Sequence, residues 1–469
     1  MGRVTVIGAG IAGLTTAYDL AVQRGHDVTL VDAADRVGGK VGASIIAGVR
    51  VDTGADAFLA RVPWARELAA ELGIEDQLVA PATGHASLLV DGILRRLPTG
   101  LVLGVPTDPD ALAASGIVSL DAVRSLEADR AIPDGTPDSR LSPAETVGSF
   151  VRRRLGDEIH ERLVDPLIGG INAGDTDRLA LAVCAPKLLE AGQAGGSLAR
   201  ALRRATPAQT DDNPLFLGHP EGMDHLTDAL AEALPRSPLL GVPVRSVGPD
   251  RTVVIDPNSA GSRSGGGQDP ANFAERGADA VVIACPAGPA AGIVRGLSAD
   301  AADGLASIAY ASVIMATMAY DRSAVADPLD GSGFLVPRGG LGLMTACSWA
   351  SSKWAHLTDD RRVLLRVSAG RSGDDRAFAL TDEELVATLH AELTDPLGLS
   401  DPPTEVRVTR YPEAFPQYGA DHVATIAAIR SELGPHRVAL TGAATRGVGL
   451  ASCIADARDT AALVDGWLR

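Results

Sequence analysis

Apolar positions follow two rhythms along this chain. Unbroken β-branched runs occur in "RVTVIGAG" (Arg3 to Gly10), "ADAVVIACPA" (Ala278 to Ala287) and "RVALTGAATRGVGL" (Arg437 to Leu450). Strands buried on both faces of a parallel sheet have this composition. The first run predicts a strand, a glycine turn and a helix from Ile11 to Arg24, ended by Gly25. "HDVTLVDA" then predicts a second strand ending at Asp32. "VRVDTGADAFLAR" (Val49 to Arg61) reads as a strand and a Gly-containing turn. "PWARELAAELGIEDQLV" begins as an amphipathic helix with Leu68 and Leu72 one turn apart.

Helical periodicity dominates from Ser142 to Glu190. Ser142 and Glu145 have capping-box spacing, with Pro143 at the first helical position. Gly218 to Leu234 predicts a turn and helix, and "LLGVPVRSVGPDRTVVID" predicts two strands. Ser259 to Gly277, rich in Gly, Ser and Asn, predicts a mobile hairpin tip. The last run again predicts strand, glycine turn and helix.

Composition narrows the classes. At 469 residues the chain exceeds one ordinary hydrophobic core, and 46% apolar content excludes wholesale disorder. A formal charge of −17 disfavours nucleic acid, and an anionic substrate would need a local basic pocket. The four cysteines form no C-x-x-C pair and read as reduced thiols, neither a disulfide frame nor a metal site. No apolar run reaches the ~20 residues of a spanning helix. The uncharged start reads as strand and helix, not as a signal peptide. The expectation is a cytoplasmic protein, with peripheral membrane contact left open.

Gly8, Gly10 and Gly13 supply G-x-G-x-x-G, placed between strand and helix. The first glycine permits a tight turn, the second lets a pyrophosphate approach, and the third allows close helix–strand packing. Backbone N–H groups at the helix start, Ile11 and Ala12, face the phosphates. Asp32, with Ala33 behind it, is placed to accept hydrogen bonds from ribose hydroxyls.

The choice of dinucleotide comes from a resemblance. "DAADRVGGKVGA" (Asp32 to Ala43) resembles the extended FAD motif of the flavin-containing amine oxidase superfamily. That resemblance implies that Arg36, Gly38, Gly39 and Lys40 form a second loop near the cofactor. It puts Gly54, Ala55 and Asp56 beside the flavin ring and Val244 on the adenine side. Gly442 would adjoin the ribityl and phosphate, and Val448, Gly449 and Leu450 the flavin pyrimidine, where a positive helix end stabilises the reduced ring.

The implied fold is α/β: a Rossmann-like FAD domain interleaved with an α+β substrate domain and a helical insertion. Residues 1–80, 215–290 and 405–469 would form the first, 81–100, 175–214 and 291–404 the second, and 101–174 the third.

Longer stretches resemble the porphyrinogen oxidases of haem biosynthesis. These are "LLVDGILRRLPTGLVLGVPTDPDAL", "RRRLGDEIHERLVDPLIGGINAGDTDRLAL", "GSGFLVPR", "TACSWASSKWAHLTDDRRVLLRVSAGRSGDD" and "VTRYPEAFPQYGADH". The third and fourth look like the Gram-positive type that forms coproporphyrin. Asn172 departs from a common aromatic, Asp421 from a glycine before His422, and Ala457 from a glycine in the final helix.

The resemblance implies non-covalent FAD and six-electron oxidation of coproporphyrinogen III with O2 in three two-electron cycles, releasing peroxide. Flavin N5 would accept hydride, so no dedicated catalytic side chain is assigned. Four propionates require cations, and Arg61, Arg95 and Arg96 are candidates by motif position. Gly170, Ile171 and Asn172 are the expected ring-facing wall, and Arg152 to Arg154 an exposed helix face. His160 and His225 read as surface or packing residues, and Cys453 as an inert thiol. The sequence shows no G-x-S-x-G elbow, no H-E-x-x-H and no metal-ligand spacing among nine histidines.

The alternatives are protoporphyrinogen IX as substrate, a flavin amine oxidase, and a non-enzymatic porphyrin-binding flavoprotein. With 3% aromatic residues, an amine-binding cage is hard to build. Contact with a ferrochelatase is left open.

Overall fold

The computed structural model describes residues 1–469 except 143, 206–213, 257–276, 327 and 341. Three segments far apart in sequence meet in one parallel sheet. Its order is Val438–Leu440, Ala280–Ile283, Arg3–Ile7, Asp27–Val31. Alternate residues serve opposite faces. Val4, Val6, Ala280 and Val282 join one core with the opening and closing helices; Ile7, Val281 and Ile283 join another with Val294 and Leu305. Burial on both faces explains why these runs are apolar without alternation.

The opening helix begins at Ile11 and runs as α-helix to Tyr18, then widens to a π-type stretch, Asp19–Gln23. Gly25, at φ 72°, turns the chain into the second strand. The closing helix, Leu450–Leu468, packs against it.

A seven-stranded mixed sheet forms the second layer. Its order is Glu405–Pro416, Tyr310–Asp321, Arg362–Ala369, Met344–Trp349, Gly333–Leu335, Ser87–Val90, Ile93–Arg96. The helix Asp382–Leu397, opened by a Thr381–Glu384 capping box, buries Leu385, Leu389 and Leu393 against it. Their i, i+4 spacing gives the helix one apolar stripe.

The third core is helical. Phe150, Val151, Leu155, Ile159 and Leu163 pack with Leu112 and Leu126. Three packing details differ from the division drawn from sequence. Leu181, Leu188, Leu198 and Leu202 bury their side chains in this helical core, although the sequence pattern places 175–214 in the substrate domain. Strand Glu405–Pro416 is an edge of the seven-stranded sheet, and helices Ala287–Val294 and Ala299–Ala306 pack on the parallel sheet. In each case the buried face decides, and one-dimensional periodicity does not say which layer receives it.

The Ser142 cap is a correction. The helix starts at Val147, and the Thr146 side chain accepts from Ser149 N–H. Ser142 instead accepts from Ala144 N–H, and the Glu145 carboxylate is taken by Arg153. Pro143 and nearly all of the hairpin tip at 259–277 lie outside the described residues.

Candidate functional site

At the nucleotide end the three glycines meet different demands. Gly8 has φ 110°, and a Cβ there would lie 2.9 Å from the Ala284 carbonyl. A Cβ on Gly13 would sit 1.8 Å from the Gly8 oxygen. Gly10 is different: no protein atom lies within 4 Å of its Cβ position, so that side is open. Gly10, extended at φ −74°, N-caps the opening helix without a side-chain cap. Its helix N–H groups therefore face space that a pyrophosphate can fill.

The second loop closes on the first. Gly38 N–H donates to the Ala9 carbonyl at 2.8 Å, and Gly10 and Gly38 form an isolated bridge. Arg36 donates to the carbonyls of Val37, Gly39 and Val41, so its guanidinium braces the loop from within. One Asp32 oxygen accepts from Ala9 N–H and the other from Ala34 N–H, which fixes the carboxylate while leaving lone pairs for ribose. Ala33 is exposed and Val244 half-buried beside the second core.

At the flavin end lies a cavity of about 400 Å³. Lys40, Gly54, Ala55, Val448, Gly449 and Leu450 all line it, as do Gly170 and Ile171. The closing helix starts at Leu450 with no acidic residue in its first turn and no side-chain cap, so its positive end is uncompensated. Gly442, at φ 113°, is held behind this point by Asp456, which accepts from Thr441 Oγ1, Gly442 N–H and Thr445 Oγ1. Sequence reasoning missed Asp456; an acid among the buried positions of an apolar helix was the available signal.

Lys40 donates to the Ala414 carbonyl, and desolvation by the surrounding protein lowers its pKa. Cys453 is buried and its thiol is pushed up to about 12 by desolvation, so it stays protonated and unreactive.

Several expected site residues are elsewhere. Asp56 is spent on Lys353 at 2.7 Å, Arg366 at 3.0 Å and Trp354 Nε1 at 3.2 Å. Although burial opposes ionisation, these cations hold its carboxyl well below the usual range. It is a structural ion-pair centre beneath the Gly54 turn, where the Gly54 carbonyl also accepts from Arg366. Arg61, Arg95 and Arg96 are not among the residues lining the cavity. Arg95 and Arg96 sit on the edge strand Ile93–Arg96, and the Nε atoms of Arg61 and Arg95 are buried without a partner.

Asn172 is buried, donating to Ile168 O while its own carbonyl accepts from Gln417, so it braces the Gly170–Ile171 turn and does not line the cavity. Arg152, Arg153 and Arg154 are engaged in ion pairs with Asp177, Glu145 and Asp129 and are not a solvated face. His160 is 2% exposed and joined to Thr176 at 2.8 Å, a packing residue; His225 stacks on His219.

Among the described residues, the cations that do line the cavity are Lys40, Arg338 and Arg371. The two arginines escaped the sequence reading because they stand singly in turns after strands, "FLVPR" and "SAGR", where a lone charge resembles ordinary loop composition. Among the described residues no group of acids, histidines and cysteines could hold a metal ion. None of the described helices is long and apolar enough to cross a membrane.

Open glycine backbone, an oriented ribose acid and a positive helix end beside the cavity fit FAD, and the fold is that of a FAD-dependent oxidoreductase. The family described as flavin containing amine oxidoreductase matches residues 11–465. The chain is 30% identical over 465 residues to coproporphyrinogen III oxidase of Bacillus subtilis (strain 168), covering 96% of this chain and 95% of that protein. It is 27% identical over 491 residues to the chloroplastic protoporphyrinogen oxidase of Nicotiana tabacum, covering 99% and 85%. A crystal structure of a protein from Exiguobacterium sp. 255-15 superimposes with a TM-score of 0.83 at 27% identity, covering 99% and 98%. The chain belongs to the flavin containing amine oxidoreductase family, and within it to the porphyrinogen oxidases.

Proposed function

We propose that the protein oxidises coproporphyrinogen III to coproporphyrin III, with O2 as electron acceptor. The observation that supports this reading is the cavity: apolar walls at Val313, Ile314, Met315 and Phe415, the uncapped N-terminus of the closing helix at Leu450, and two arginines on its lining. A macrocycle with an apolar body and carboxylate arms is the matching shape. The chain's net charge of −17 makes that local cationic surface necessary for an anionic substrate.

When bound, FAD would take two electrons from the substrate in each cycle and pass them to O2. The protein's own part is mainly placement. Gly170 and Ile171 form a turn against which the ring can lie; no atom lies within 4 Å of a Cβ at Gly170, so that wall is open. The N–H groups at Gly449 and Leu450 supply positive potential where negative charge develops. Asp165, the one carboxylate lining the cavity among the described residues, accepts from Thr176 Oγ1 and lies 3.6 Å from Arg338. Pyrrole N–H protons leave by tautomerisation toward solvent, with aromatisation as the driving force, so no strong base is required.

The tobacco relative favours a second reading, protoporphyrinogen IX as substrate. Porphyrin fluorescence growth on each porphyrinogen separates the two: the proposal expects a higher kcat/KM for coproporphyrinogen III. Equal or reversed preference would move the assignment to the alternative. Cytoplasmic location is a further part of the proposal.

A further inference from the structure

Arg371 combines a fixed backbone with an unpartnered head group. Gly370 before it has φ 89°, and a Cβ there would meet the Ser312 carbonyl at 2.7 Å, so only glycine fits this turn. Ser372 N–H donates to the Ala173 carbonyl at 2.7 Å, tying this turn to the one bearing Gly170 and Ile171. Asp374 N–H donates to the Arg371 carbonyl at 2.9 Å. Among the described residues the Arg371 guanidinium has neither a hydrogen-bond nor an ion-pair partner, yet it is half-buried. Desolvation, then the neighbouring Arg338, disfavours its charge, while Asp165 and Asp374 offset part of this. Arginine nevertheless stays protonated, with five N–H donors to satisfy.

Arg338 stands beside it with part of its capacity spent. It donates to the Gly174 carbonyl at 2.6 Å, and its Nε lies 3.6 Å from Asp165. Both arginines line the apolar cavity, and both also line an adjoining polar hollow of about 370 Å³. The pair therefore marks the boundary between the apolar cavity and a polar hollow whose lining also holds Asp374, Asp375 and Arg376. A lysine would not match a carboxylate in the same planar, two-point way.

We propose that Arg371, supported by Arg338, is the carboxylate clamp of the substrate site: it takes a propionate arm and thereby fixes how the macrocycle faces the cofactor. This rests on the porphyrinogen reading above and replaces Arg61, Arg95 and Arg96 as the propionate site. The clamp is a positioning and affinity device, with no role in electron transfer.

Equilibrium binding of coproporphyrin III to the FAD-loaded protein, followed by fluorescence quenching, tests it apart from turnover. Arg371→Gln should bind about tenfold to a hundredfold more weakly than wild type. Arg371→Lys should fall between them, with FAD content and melting temperature unchanged in both. In turnover, Arg371→Gln should raise KM more than it lowers kcat. Wild-type affinity in Arg371→Gln, or wild-type protein that binds no coproporphyrin, would overturn the clamp. Wild-type protein that binds coproporphyrin but turns over no porphyrinogen would instead overturn the reaction, with the Arg371→Gln deficit still supporting the clamp.

Discussion

Two glycines of the same motif, Gly10 and Gly13, should fail in opposite ways when given a methyl group. In Gly13→Ala the new Cβ would lie 1.8 Å from the Gly8 oxygen and 3.1 Å from the Ala284 side chain. Ordinary van der Waals contact is about 3.5–4.0 Å, so strand and helix must separate. Overpacking of this kind costs about 1–3 kcal/mol, with more where backbone is the obstacle. In Gly10→Ala the methyl group meets no protein atom within 4 Å, and φ −74° suits alanine. Its effect on the cofactor-free fold should stay within about 0.5 kcal/mol. Only the approach of the pyrophosphate is obstructed, at about tenfold or more in FAD affinity. The assay pairs FAD content by visible absorbance with melting curves of the stripped proteins. Gly13→Ala should lose both stability and FAD, and Gly10→Ala only FAD. A Gly10→Ala protein with full FAD affinity, or a stripped Gly10→Ala as unstable as Gly13→Ala, would refute the reasoning.

Three further outcomes are expected. Asp56→Asn leaves Lys353 and Arg366 beside a neutral group and should cost about 3–5 kcal/mol in chemical denaturation. Because the folded carboxyl titrates below its unfolded value of about 3.9, its own contribution should be lost only as pH falls below about 4; a loss under about 1 kcal/mol at pH 8, where Asp52 is already ionised, would contradict the buried pair. Asp52 behaves oppositely. Desolvation is the main cause that raises its pKa to about 7, so the folded state holds a proton that the unfolded state releases near pH 4. Stability should therefore fall as pH rises from about 4 to 7 and then level. Asp52→Asn, which can still accept from Met223 N–H, should open a growing melting-temperature advantage over that window; a pH-independent difference would contradict it. Finally, heat-denatured protein should release its FAD to the supernatant, since the Cys453 thiol is buried and protonated; flavin retained in the pellet would contradict non-covalent binding.

The nucleotide half of this molecule was readable because its constraints are local. Strand Arg3–Ile7, Gly8, Gly10, Gly13 and Asp32 act within one βαβ unit, and the closing helix follows its strand by a few residues. The cavity was less readable because its walls come from distant segments. The turns bearing Gly170 and Gly370 are far apart in sequence and are joined by the Ser372–Ala173 hydrogen bond and by Arg338, which donates to the Gly174 carbonyl. Arg95 and Arg371 look alike in sequence, yet one lies on an edge strand and the other faces the cavity. Asp56 stood in the right motif, but its partners Lys353 and Arg366 are about 300 positions away and consume it. The Ser142 cap failed for a related reason: Glu145 has a stronger partner in Arg153, so Thr146 opens the helix.

In the proposed reaction, electrons pass from a porphyrinogen to FAD. Coproporphyrinogen III mixed with the FAD-loaded protein without oxygen tests this directly. The flavin absorbance should bleach, and admitting O2 should restore it while coproporphyrin fluorescence grows. A flavin that keeps its oxidised spectrum under excess porphyrinogen would contradict the account.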